Sequence, residues 1–220
     1  MKKGKQKNYI VFFDFDNTIT TIDVIDDMLE RFSGDDGWKN LEEKWRREEI
    51  GSRECLKGQV EGIKVGKEKL DNYLSTIKID PYFKKLLNFF ESRSIPVLIV
   101  SDNFDYMLNG ILERNNISGM EVYCNKVDIT GDNFKTSFPY ANSDCGDCAN
   151  CKKTHLLSKR KEGMEAVYIG DGKSDVCASK VSDLVFAKGY LQDLFKEEGR
   201  PHVAIDDLKD VYDYFERNLV

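Results

Sequence analysis

Two carboxylates, Asp14 and Asp16, stand directly after an apolar run in "YIVFFDFDNT". Moving an ionised carboxylate out of water costs several kcal/mol unless a cation or a set of donors meets it. The neighbouring residues offer neither, so partners must come from distant parts of the chain. Four candidates follow in order: Ser101 after "IPVLIV", Lys152 in "CKKT", then Asp171 and Asp175 in "GDGKSD" after "EAVYIG". Carboxylates suit a hard cation such as Mg2+, whereas a hydroxyl and an ammonium suit an anion. Reaction of an anionic group against a metal ion is the chemistry this mixture allows.

A second cluster has softer donors. Cys145, Cys148, Cys151 and His155 have C-x2-C-x2-C-x3-H spacing. Three thiolates and an imidazole can make a tetrahedral Zn2+ site, and the cysteine spacing also matches an iron–sulfur run with histidine in the last place. The alternative is a thiol-rich loop that packs and positions Lys152. "GDGKS" ends like a phosphate-binding P-loop, but position 167, where that motif needs glycine, is valine.

The acidic and anion-binding candidates need elements that bring them together. Residues 9–13, 95–100, 165–170 and 183–187 read as buried strands, and "EVYC", "VDIT" and "KTSF" as shorter ones around a turn at Gly131 and Asp132. Helical spacing begins after Thr21, a predicted N-cap, with Ile22, Ile25, Met28, Leu29 and Phe32 on one face. Three more helices follow before residue 79. Asp80 and Pro81 open another, and further helices are expected over 105–115, from Lys152, over 173–180 and over 206–217. Strands alternating with helices imply an α/β fold with a mainly parallel sheet, in which ligands bind beyond the carboxyl ends of the strands. All the candidates except the cysteines follow such ends or start a helix.

The composition sets limits. A chain of 220 residues holds one sizeable core, or a core with a smaller insertion. A net charge of −6 disfavours a main task of neutralising nucleic-acid phosphates. The apolar stretch after the basic start is interrupted at Asp14, too early for a signal peptide, and no segment approaches a membrane span. Six cysteines without a secretory signal fit a reducing cytoplasm, as thiols or metal ligands.

In this order the motifs "DFDNT", "LIVSDN", "CKKT" and "GDGKSD" resemble those of the haloacid dehalogenase superfamily of phosphotransferases. The resemblance implies a Rossmann-like three-layer core over residues 1–19 and 80–220, with an all-helical cap inserted at 20–79 as in the phosphoserine-phosphatase-like branch. "ANCKKTHL", "YIGDGKSDVCA" and "LVFAKGYL" are similar to the group holding methylthiopentenyl phosphate phosphatases and phosphoethanolamine/phosphocholine phosphatases. "SDN" at 101–103 leans to the amine-phosphate members and "FAK" to the methionine-salvage type, leaving both substrate classes open, phosphoserine included.

The activity implied by the resemblance is that of a phosphatase acting on a small phosphomonoester through an aspartyl-phosphate. Asp14 is the expected nucleophile and Asp16 the acid and base. Ser101, Asp102, Asn103, Lys152, Asn17 and Thr18 form the phosphate-binding set, and Asp14, Asp16, Asp171 and Asp175 the Mg2+ site. A closing cap implies small substrates, with neither nucleic acid nor membrane as partner. Two alternatives stay open: a phosphotransferase or mutase on the same core, and a non-catalytic sensor built on the cysteine cluster with zinc or iron–sulfur. Trp38, Trp45 and Tyr73 either line a pocket, where they would cage a quaternary ammonium, or belong to the core. Arg46, Arg47 and Lys57 either grip an acidic group or lie on a solvated face.

Overall fold

The computed structural model describes residues 8–219, so the outermost ends of the expected core, residues 1–7 and 220, lie outside it. Strands β1 (Asn8–Phe13), β2 (Val97–Phe104), β3 (Glu121–Thr130), β4 (Asn133–Ser137), β5 (Met164–Gly170), β6 (Leu184–Ala187) and β7 (Val203–Ala204) form a sheet in the order β4-β3-β2-β1-β5-β6-β7. Every neighbouring pair is parallel except β3 with β4.

β1 lies in the middle, and this explains its unbroken apolar run. Tyr9, Val11 and Phe13 join one apolar cluster, which also holds Phe83, Ile111 and Phe215. Ile10 and Phe12 join the other, with Leu156 and Ala178. Alternate residues thus face opposite layers, and a strand covered on both sides must be apolar at every step. Helices α5 (Phe83–Glu91), α6 (Asp105–Arg114) and α10 (Leu208–Asn218) supply the first layer, α7 (Lys152–Lys159) and α8 (Val176–Ser179) the second.

Helices α1 (Val24–Phe32), α2 (Gly37–Arg46), α3 (Ser52–Glu61) and α4 (Lys67–Leu74) lie between β1 and α5. The chain enters and leaves this helical block side by side: Thr20 bridges Ile79, and the Thr21 amide donates to the Lys78 carbonyl at 3.1 Å. Thr21 is therefore not the N-cap predicted for α1. Asp23 is, its carboxylate accepting from the Asp26 amide at 2.9 Å. "EVYC" and "VDIT" are one strand rather than two: β3 pairs with β2 in its first half and with β4 in its second. Two elements are present that the sequence pattern does not announce, β7, only two residues long, and α9 (Gly189–Glu197). Among the described residues no helix is long and apolar enough to cross a membrane.

One side chain joins three elements behind the strand ends. Asn150 donates through Nδ2 to the carbonyls of Ser101 at 2.7 Å and Tyr123 at 2.9 Å, and its amide donates to Asp102 at 3.1 Å. Its Oδ1 lies 2.7 Å from His155 Nε2. With the Nδ2 donors committed, Oδ1 is the acceptor, so His155 carries its proton on Nε2. That ring is stacked on Tyr123 and edge-on to Tyr140. His155 is thereby bound into the framework that starts α7 with Lys152, two residues after Asn150.

Burial, with a smaller push from Lys159, lowers the His155 pKa from 6.5 to about 4. The unfolded chain then takes up a proton before the folded one. The stability given by a neutral His155 is complete above about pH 6.5 and is lost as the pH falls toward 4, at up to about 1.4 kcal/mol per pH unit. His155→Gln keeps a donor for Asn150 and removes the titration. In urea unfolding from pH 7 to pH 4, wild type is expected to lose stability relative to this variant, the other titrating groups acting on both alike. Parallel curves would show that the ring does not resist protonation.

Candidate active site

The ends of β1, β2 and β5 and the start of α7 converge on one buried cluster. Lys152 Nζ lies 2.6 Å from Asp14 Oδ1 and 2.6 Å from Asp175 Oδ1. Lys152 is 3% exposed and Asp175 fully buried, so water screens neither contact. Asp175 is saturated: Oδ1 also accepts from the Tyr168 hydroxyl at 2.6 Å, and Oδ2 from the amides of Asp171 at 3.0 Å and Gly172 at 2.9 Å. It therefore anchors Lys152 and the turn that carries Asp171. Gly170 allows this, since a Cβ there would meet Asp175 Oδ2 at 2.6 Å. Tyr168 was missed in the sequence. The signal was there, because a tyrosine within a strand buried on both faces needs a partner for its hydroxyl.

Asp16 follows Asp14 in the turn beyond β1, with the buried Phe15 between them. Its oxygens take the Val24 amide at 3.0 Å and Asn103 Nδ2 at 3.0 Å. Burial, reinforced by Asp23, raises its pKa well above the usual carboxylate range. Ser101 is fully buried, its Oγ accepting from the Asn103 amide at 2.9 Å. Asp102 faces the Asn150 amide, and burial raises its pKa to about 6. Asn17 takes φ of +52°, a conformation asparagine tolerates better than most residues, and its amide donates to the Ile22 carbonyl. Thr18 directs its hydroxyl toward Asp171 Oδ1 at 3.5 Å.

Of the four carboxylates expected around Mg2+, Asp14, Asp171 and Asp175 each place an oxygen within 4.8 Å of the others. Asp16 is outside this group, its oxygens turned to Val24 and Asn103. Burial and then Asp175 raise the pKa of Asp14 well above the usual range and that of Asp171 to about 7. Burial opposes the charge on Lys152, but Asp14 and Asp175 outweigh it and keep the ammonium protonated. One ammonium among three carboxylates leaves negative charge to be offset. An all-oxygen donor set fits a hard divalent cation such as Mg2+, with Asp14 and Asp171 as the carboxylates free to hold it.

A cavity of about 140 Å3 opens from Asp14, Asp16, Asn103 and Lys152 toward the helical block, where Asp23, Ile25, Asp26, Glu42, Trp45, Leu56 and Gln59 line it. The expected aromatic trio is divided. Trp45 reaches the cavity, Tyr73 is core at 8% exposure, and Trp38 packs against the core. Arg46 pairs with Glu42 and Arg47 with Glu43 along the exposed helix surface, and neither lines the cavity. The sulfurs of Cys145, Cys148 and Cys151 lie within 4.8 Å of one another. His155 is outside that group, bound to Asn150 instead.

Residues 9–200 match the Putative Phosphatase family. The chain is 32% identical over 207 residues to the bifunctional enzyme MtnB/MtnX of Bacillus licheniformis, covering 92% of this chain and 48% of that protein. It therefore spans about half of that relative's length. It is 29% identical to the 2-hydroxy-3-keto-5-methylthiopentenyl-1-phosphate phosphatase of Geobacillus kaustophilus, over 96% of this chain and 97% of that one. The fold is similar to a phosphoserine phosphatase solved as a phospho-aspartyl intermediate analogue, with a TM-score of 0.71, 20% identity and coverage of 94% and 99%. The chain belongs to the Putative Phosphatase family, and is a phosphoserine-phosphatase-like member of the haloacid dehalogenase superfamily of phosphoric monoester hydrolases.

Proposed function

We propose that Asp14 attacks the phosphorus of a small phosphomonoester, forming an aspartyl-phosphate as the ester oxygen leaves with a proton from Asp16. Asp16, now a carboxylate, takes a proton from water. The water oxygen attacks phosphorus, phosphate departs and Asp14 is restored. The observation that carries this reading is the placement of Asp14, Asp16 and Lys152 around one end of a single small cavity. Lys152 and Ser101 offer donors to the phosphoryl oxygens, and Asp175 keeps the ammonium in place. Asp16 starts in the protonated state its environment favours. Mg2+ on Asp14 and Asp171 supplies the further positive charge that an anionic nucleophile needs against an anionic substrate. Helices α1–α4 act as a cap that excludes water, moving on the two chain crossings that the bridge between Thr20 and Ile79 joins. The cysteine loop takes no part in this chemistry. A reducing cytoplasm suits the six free thiols.

For the substrate, we favour a methylthiopentenyl-type phosphate, the compound in the names of relatives that match nearly the whole chain. The cavity has polar groups for a hydroxy-keto segment and Ile25, Trp45 and Leu56 for a thioether. A second reading rests on the carboxyl groups of Asp23, Asp26 and Glu42 in the same wall, which suit an amine phosphate. Burial, then Asp23 and Glu42, raise the Asp26 pKa to about 7, a repulsion that a cationic substrate would relieve.

Phosphate release should vanish with EDTA and in Asp14→Asn; turnover persisting in that variant would remove Asp14 as nucleophile. Asp16→Asn should lower kcat/KM, which reports the steps up to the aspartyl-phosphate, about 10²–10⁴-fold on an alkyl phosphate. The loss should be far smaller on p-nitrophenyl phosphate, whose leaving group needs no proton, and an equal loss on both would exclude the acid role. Across methylthiopentenyl phosphate, phosphoethanolamine, phosphocholine and phosphoserine, the first is expected to be preferred, with KM changed little by Glu42→Gln. Preference for an amine phosphate, with KM raised about tenfold or more by Glu42→Gln, would select the second reading.

A further inference from the structure

Lys152 is held from two sides. The acidic network grips its ammonium, while its backbone follows a cysteine loop for which that network has no use. In this loop Asn142 and Cys148 exchange backbone hydrogen bonds, each amide to the other's carbonyl at 3.1 Å. Between them Gly146 and Asp147 take consecutive positive φ values of +71° and +55°. This tight reversal turns Cys145 and Cys148 together, and Cys151 closes the group just before Lys152.

Donors already point at one of the sulfurs. The Thr154 hydroxyl lies 3.1 Å from Cys151 Sγ and Asn142 Nδ2 lies 3.6 Å from it. Donors aimed at sulfur are the outer partners that steady a thiolate ligand. His155, the fourth ligand expected from the spacing, is committed to Asn150. Cys177, exposed in α8, also lies outside the group of three, but α8 packs beside α7 and among the described residues its thiol has no hydrogen-bond partner to give up on turning inward. The loop also docks on the cap. Arg53 pairs with Asp147 at 2.7 Å, the Ala149 amide donates to Ser52 Oγ at 2.9 Å, and a Cβ on Gly51 would lie 2.5 Å from Asp147 Cβ.

We propose that Cys145, Cys148 and Cys151, with Cys177 as the fourth ligand, bind Zn2+ as a tetrahedral thiolate site that fixes the loop between the cap and Lys152. Each thiol releases its proton to solvent on binding, and Cys148 leaves the Cys145 carbonyl it now contacts at 2.6 Å. All four positions are filled by protein, so the site is structural.

Metal analysis of the full-length protein, purified without chelator, should find about one zinc per chain. The zinc-stripped protein titrated with Co2+ should develop a thiolate-to-cobalt charge-transfer band, which the carboxylate site cannot produce. Cys177→Ser, a change at an exposed position, should reduce that band by about a quarter and weaken zinc retention against a chelator about tenfold or more. Cys148→Ser should reduce both further. A protein with neither zinc nor the cobalt band would overturn the site, as would iron accompanied by inorganic sulfide. A band unchanged in Cys177→Ser would overturn the fourth ligand.

Discussion

The ammonium of Lys152, fixed between Asp14 and Asp175 with almost no access to water, is the constraint around which the structure is arranged. A buried ion pair is a poor source of stability, since apolar residues of the same volume often do as well. Three elements far apart in sequence nevertheless end at this contact. Tyr168, Gly170 and the amides of Asp171 and Gly172 are all shaped to saturate Asp175. A positive charge held this rigidly needs no reorganisation when negative charge builds up beside it, and preorganisation of that kind is the main electrostatic route to catalysis.

Asp14 and Asp16 differ through their surroundings. Asp14 lies among carboxylates and one ammonium, so its charge depends on how much positive charge is near. Asp16, two residues on, is turned to the Val24 amide at the start of α1 and to Asn103, where burial favours its protonated form. Both reach one cavity, but Lys152 partners the first while the Val24 amide and Asn103 partner the second. The proposed nucleophile and the proposed acid thus come from one short motif with different partners.

Much of the core was legible because it follows from periodicity. The two-faced apolar runs of β1, β2 and β5 announce a covered sheet, and the polar residues after them mark its functional edge. Less was legible where a partner is chosen by three-dimensional packing. Cysteine spacing suggested His155 as a ligand, but the stacking of Tyr123 and Tyr140 and the open acceptor of Asn150 claimed it. Thr21 has the residue type of a cap, but its amide is taken up by the returning chain at Lys78, and Asp23 caps the helix instead. Asn150 gave no signal at all, since its four contacts reach residues between 5 and 49 positions away.

The segment from Asn142 to Lys152 therefore does more than connect β4 to α7. One end meets the helical block through Asp147 and Ala149, and the other delivers Lys152 to Asp14. A loop with few apolar residues cannot hold such a position by burial alone. Asn150 fixes it to β2 and β3, and the three sulfurs lie where a soft ion would fix it to itself. Hardness keeps the two donor sets from competing, because oxygen ligands suit Mg2+ and thiolates suit Zn2+. The helical block and the lysine share one brace, so a change in how that block seats is felt at the ammonium beside Asp14.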